Sequence, residues 1–132
     1  MLIMKINGNK LTVSSAGMPP ALIFRAEYQE VEEVLIKAPP LGGFNQYTYR
    51  QEEAVLEDGD IVLLMSDGFT ERFSEEEEML GMTIVKHAFE EIAKETPDHI
   101  IEELNEVSRK WGGGRPLDDD MTFMVIKYTA SQ

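Results

Sequence analysis

No cysteine occurs in the 132 residues, which excludes disulfides and thiolate metal sites. Basic residues are scarce: 12 lysines and arginines stand against 25 aspartates and glutamates, a formal net charge of −13. That balance excludes nucleic acid and anionic membrane as main partners, because both are polyanions. No apolar run approaches the ~20 residues that span a bilayer. The opening MLIMKIN carries a lysine inside its apolar stretch and no small-residue cleavage site, so it does not read as a signal peptide. A cytoplasmic chain is the expectation. Aspartate is missing from the whole first part of the chain, up to Asp58.

What is present suits one folded domain over 1–132, with 42% apolar residues to build a core. Leu2, Met4 and Ile6 alternate with polar positions, Asn7-Gly8-Asn9 makes a turn, and Leu11 and Val13 resume the alternation, a hairpin signature. Ala21–Arg25, Val31–Lys37 and Tyr47–Leu56 read as further strands. Ile61–Met65 (IVLLM) is apolar without alternation, as expected of a central strand covered on both faces. From Met79 to Ala93 the period becomes helical, with His87 near the apolar face. Thr96 and Pro97 cap a second helix that carries His99 in its first turn and stops at Gly112-Gly113-Gly114. Met121–Tyr128 closes as a strand, giving an α+β chain: antiparallel sheets with helices on one side.

Two acidic clusters carry the chemistry. Asp67 follows the apolar run Ile61–Met65, and Gly68 is expected to let the backbone turn away. Asp118, Asp119 and Asp120 precede the apolar run Phe123–Ile126. Singly, an Asp-Gly is turn chemistry and an Asp run is a solvated loop. If the two strands are neighbours, the carboxylates converge at one sheet edge and repel. A hard divalent cation relieves that repulsion, since Mg²⁺ and Mn²⁺ prefer oxygen ligands. No Ser/His/Asp spacing, nucleophile elbow or phosphate-binding glycine loop is present.

In order, SAGMPPALIFR (Ser15–Arg25), PLGG (Pro40–Gly43), LEDGDIVLLMSDGFTE (Leu56–Glu71) and WGGGRPLDDDMTFMVIK (Trp111–Lys127) resemble a known family. They are similar to the later part of a metal-dependent protein serine/threonine phosphatase domain of the PPM type, SpoIIE/RsbU branch. The resemblance implies an antiparallel β-sandwich flanked by helices, with two Mn²⁺ or Mg²⁺ ions about 3.5–4 Å apart at one end. It implies hydrolysis of phosphoserine or phosphothreonine by water activated at the metals, without a phospho-enzyme. By the same resemblance Asp67 and Asp119 are metal aspartates, Asp120 sits in the adjacent position, and Gly68 and Thr122 are supporting. A one-residue slip would exchange roles within Asp118–Asp120.

Two departures qualify it. The family's Ala-Gly-His-Pro-Pro reads Ala16-Gly17-Met18-Pro19-Pro20 here, so no imidazole is supplied. The family's earlier Gly-Asp strand and Asp-x-x-Gly-His-Gly segment, which carry the other metal aspartates, have no counterpart. The expectation is therefore the C-terminal portion of a larger phosphatase, with half a metal site, inactive alone and prone to self-association through uncovered sheet. Its substrate would be a phosphorylated anti-sigma-factor antagonist in a stress-response pathway, under an upstream sensor or regulatory domain. The alternatives are a non-catalytic phosphatase-like interaction module, and an ordinary acidic α+β domain whose aspartates form turns.

Overall fold

The computed structural model describes residues 1–131. Its strands are β1 (Leu2–Asn7), β2 (Lys10–Ser15), β3 (Ala21–Arg25), β4 (Glu30–Val34), β5 (Gln51–Val55), β6 (Ile61–Met65) and β7 (Phe123–Lys127). Its helices are α1 (Asp67–Thr70), α2 (Gly81–Ile92) and α3 (Pro97–Gly112), all between β6 and β7. One antiparallel sheet has the order β1-β2-β5 and the other β4-β3-β6-β7.

Side-chain alternation stacks these elements in three layers. Leu11 and Val13 of β2 meet Ala21, Ile23 and Val62 between the two sheets. The opposite faces of β3 and β6, with Leu22, Phe24, Ile61, Leu63 and Met65, pack on Val85, Phe89, Ile100 and Leu104 of α2 and α3. β6 is thus covered on both faces and has β3 and β7 as neighbours, which is why IVLLM shows no alternation. The helices lie on one side, as the pattern predicts.

Several boundaries move. The strand expected over 31–37 ends at Val34, and that expected over 47–56 begins at Gln51, because 35–50 is an exposed loop with two paired tyrosines. The first helix starts at Gly81 instead of Met79, since Met79 bridges back to Phe73 in a small hairpin. His87 is exposed, with a side chain 77% accessible beside Glu91, and does not face the core. Thr96 caps α3 as expected, its hydroxyl accepting the His99 N–H at 3.3 Å with Pro97 in the first turn.

Candidate functional site

β6 and β7 pair antiparallel with Met65 opposite Phe123, so the chain leaves β6 where it enters β7. Strand register alone therefore brings the segment after Met65 beside the segment before Phe123. Ser66 prolongs the ladder past the last strand pair. Its N–H donates to the Thr122 carbonyl at 3.0 Å, and its hydroxyl accepts the Thr122 N–H at 2.9 Å. The same hydroxyl donates to the Asp120 carbonyl at 3.3 Å. Thr122 supports the site through its backbone.

Gly68 completes the junction. A Cβ placed there would lie 2.1 Å from the Asp120 carbonyl oxygen and 3.3 Å from that of Asp119. No side chain fits that gap. The expectation that Gly68 turns the chain away is corrected: Asp67–Thr70 continues as one helical turn, and the glycine serves close approach. A four-residue helix has no stability of its own. It is pinned by Phe69, which is fully buried with its ring edge-on to Phe123 at 4.8 Å. Burying that ring contributes roughly 1.5–3 kcal/mol.

The acidic residues separate by their partners. Asp118 is engaged: Arg115 donates to it at 2.9 Å, and Arg72 lies 3.9 Å away. The hydrogen bond from Arg115 is the main cause holding the Asp118 carboxyl below its ordinary range. Asp119 uses one oxygen to accept the Asp120 N–H at 2.8 Å. Asp67 is half-buried at the start of α1, and Asp119 and Asp120 are exposed on the facing loop. The structure thus joins the two acidic segments and withdraws Asp118 into ion pairs. Among the described residues, no three of His, Cys, Asp and Glu are grouped to hold a metal ion. Carboxylate oxygens are hard donors of the kind that Mn²⁺ and Mg²⁺ prefer, and fewer than three are grouped here among the described residues.

Two contributors, Ser66 and Arg72, escape sequence reasoning, and a third, Met18, enters it only as a departure from the family's pattern. Ser66 is the hydroxyl link just described. Arg72 sits in a polar stretch that reads as surface, yet its side chain is 5% exposed. Met18, where an imidazole was missed, lines a groove with Leu2, Ser66, Thr122 and Met124, so that position reaches the same rim. The signal for Met18 was its place in the Pro-Pro segment; Ser66 and Arg72 gave none.

The family model described as Stage II sporulation protein E (SpoIIE) matches residues 1–129. No curated protein matches the chain. Among solved structures, it resembles the phosphatase domain of the cell fate determinant SpoIIE from Bacillus subtilis (Mn presoaked), with a TM-score of 0.79 and 21% identity over 100% of this chain and 57% of that one. The RsbU and RsbW domains of Rv1364c from Mycobacterium tuberculosis give 0.79 and 22% over 99% of this chain and 36% of that one. The SiaA-PP2C domain of Pseudomonas aeruginosa gives 0.78 and 20% over 91% and 46%. At such identities the likeness shows the fold. The chain spans about half the length of these solved chains, or less.

Proposed function

The chain belongs to the SpoIIE family, in the SpoIIE/RsbU branch of the PPM phosphatases, and from that premise we propose that it carries part of the centre of a divalent-metal-dependent protein serine/threonine phosphatase. Asp67 and Asp119 would hold Mn²⁺ or Mg²⁺, with Asp120 adjacent, in a domain that works with two such ions. The Mn-presoaked state of the Bacillus subtilis relative supports a divalent cation. When bound, the ions supply positive charge for phosphate oxygens and lower the pKa of coordinated water. The remaining work belongs to this chain. Gly68 and Ser66 keep the two acidic segments in backbone contact, and the buried Phe69 holds Asp67 at the rim. At a net charge of −13, a phosphorylated protein meets a repulsive surface unless cations occupy the site.

The single observation that carries this reading is the 2.1 Å gap between a Gly68 Cβ position and the Asp120 carbonyl. A glycine so placed serves to press one acidic segment onto another, and a solvated turn has no need of it. By branch, the substrate is a phosphorylated anti-sigma-factor antagonist in the cytoplasm, with a sensor or regulatory domain controlling the activity. No described helix is long and apolar enough to cross a membrane. The small number of grouped carboxylates favours a second reading, a phosphatase-like module that docks without catalysis.

Manganese titration by calorimetry or electron paramagnetic resonance tests the metal centre. Asp67→Asn and Asp119→Asn should each weaken Mn²⁺ binding at least tenfold, about 1.4 kcal/mol or more. Equal affinity in wild type and both variants removes the metal assignment. Phosphopeptide hydrolysis by the full genomic reading frame in Mn²⁺ separates the two readings, and an inert protein that still binds metal favours the docking module.

A further inference from the structure

We infer that Arg72 is a positioning residue, one that fixes the loop between α3 and β7 against α1 and thereby sets the spacing of Asp67 and Asp119. The functional half of the inference rests on the metal reading above. A guanidinium buried to this degree is costly unless its donors and its charge are met. Arg72 meets them almost wholly on one loop. One terminal nitrogen donates to the Pro116 carbonyl at 2.6 Å, and the other to the Arg115 carbonyl. The carboxylate within 4 Å is that of Asp118, at 3.9 Å. Its Nε is buried without a partner among the described residues, so the hydrogen bonds its side chain makes there all go to this loop.

The loop is shaped to receive it. A Cβ at Gly112 would stand 1.8 Å from the guanidinium, and Gly112 is itself buried, so the end of α3 leaves a slot from which any larger residue would displace the arginine. The hairpin that follows Arg72 grips the same loop and the end of α3 from outside. Glu75 accepts the Gly114 N–H at 2.8 Å, and the Trp111 indole donates to the Glu78 carbonyl at 3.0 Å. Arg72 stands one residue beyond the cap of the helix that begins with Asp67, while its acceptors Arg115 and Pro116 lead directly into Asp118–Asp120. The arginine therefore ties the two acidic segments together a second time, independently of the Ser66 and Gly68 junction. Lysine cannot replace it, because two successive carbonyls need the rigid fork of two N–H groups.

Amide hydrogen exchange by mass spectrometry, combined with Mn²⁺ titration, tests this on the whole chain. Arg72→Lys keeps the charge and should speed exchange across 113–120 at least tenfold while β3 and β6 stay as in wild type. Gly112→Ala should do the same from the other side of the slot. Both should weaken Mn²⁺ about tenfold, whereas Asp67→Asn should weaken Mn²⁺ and leave loop exchange alone. Unchanged loop exchange in Arg72→Lys overturns the inference. So does loss of the entire fold, which would make Arg72 a core residue, and so does unaltered Mn²⁺ affinity in a loosened loop. A wild type that binds no Mn²⁺ instead removes the metal reading, and loop exchange still decides whether Arg72 holds the loop.

Discussion

Asp60 stands one residue before β6 and Asp67 two residues after it, at opposite ends of the same buried strand. Asp60 is 1% exposed and its carboxylate is fully supplied: the Ala26 N–H at 2.9 Å, the Glu57 N–H at 2.9 Å and the Arg25 guanidinium at 2.8 Å. Burial works against the charge of Arg25, but hydrogen bonds to Glu32 and Asp60 outweigh it and raise its pKa, so the guanidinium stays charged. That end of β6 is stitched to the end of β3. At the other end, the polar effort goes into holding backbone instead: the Ser66 N–H and hydroxyl bond the main chain of Asp120 and Thr122, and Gly68 lies against the Asp120 carbonyl. The carboxylates of Asp67 and Asp120 are left outside those bonds. One aspartate serves the fold, and the carboxylate of the other stays free of such bonds among the described residues.

Breaking the supplied end should cost most. Asp60→Ala leaves Arg25 and two N–H groups without their acceptor, a loss of about 3–5 kcal/mol by comparison with other broken buried pairs. The melting temperature should fall by roughly 10–20 °C. Asp67→Ala should stay within ~0.5 kcal/mol of wild type, because its half-buried carboxylate makes no hydrogen bond or ion pair among the described residues. Urea unfolding of the two variants side by side measures the contrast. Equal losses would mean that Asp67 carries structure as well, and the comparison between the ends would collapse.

Gly68→Ala probes the junction at an intermediate cost. The obstacle to the new methyl is a backbone carbonyl, which cannot rotate out of the way as a side chain can, so the loop must shift. Overpacking of this kind costs about 1–3 kcal/mol. Amide chemical shifts should move at Asp119 and Asp120 and stay put at Ala26 and Glu57, the Asp60 end. Shifts confined to α1 would mean that the two acidic segments are not in contact.

The helices on one side of the sheets, the central place of β6 and the α3 cap were legible from side-chain period and capping chemistry. The sandwich came from the family resemblance, and the meeting of the acidic segments only on condition that β6 and β7 are neighbours. The reasons for Gly68 and Arg72 were not legible. Each depends on a residue more than forty positions away, whose approach no local pattern records. Arg72 lies in TERFSEEEE, a polar stretch without period, and the space beside Gly112 that receives its guanidinium leaves no local trace. The single turn of α1 was missed because four residues hold no period. His87 was misplaced because the helix turns its Ile84, His87 and Glu91 face to solvent, a choice set by where α2 meets α3 and β4.

The smallest effect belongs to Asp118, an exposed counterpart of the Asp60 ion pair. Its folded pKa is depressed below the ordinary 3.8, first by the hydrogen bond from Arg115, against an opposing desolvation, and then by the charges of Arg115 and Arg72. A depressed acid stabilises the fold above its unfolded pKa, and that contribution disappears as pH falls through the folded value. Asp118→Asn should therefore be slightly less stable than wild type at neutral pH and equal to it once the pH lies below the depressed value. Because the pair is exposed, 1 M salt, with a screening length of about 3 Å, should erase the same difference at neutral pH. The loss in Asp60→Ala should survive that salt, since the Asp60 carboxylate is itself buried. Denaturant titrations at two pH values and two salt concentrations check both. A salt-resistant loss at Asp118 would place it with Asp60 among the residues that hold the fold.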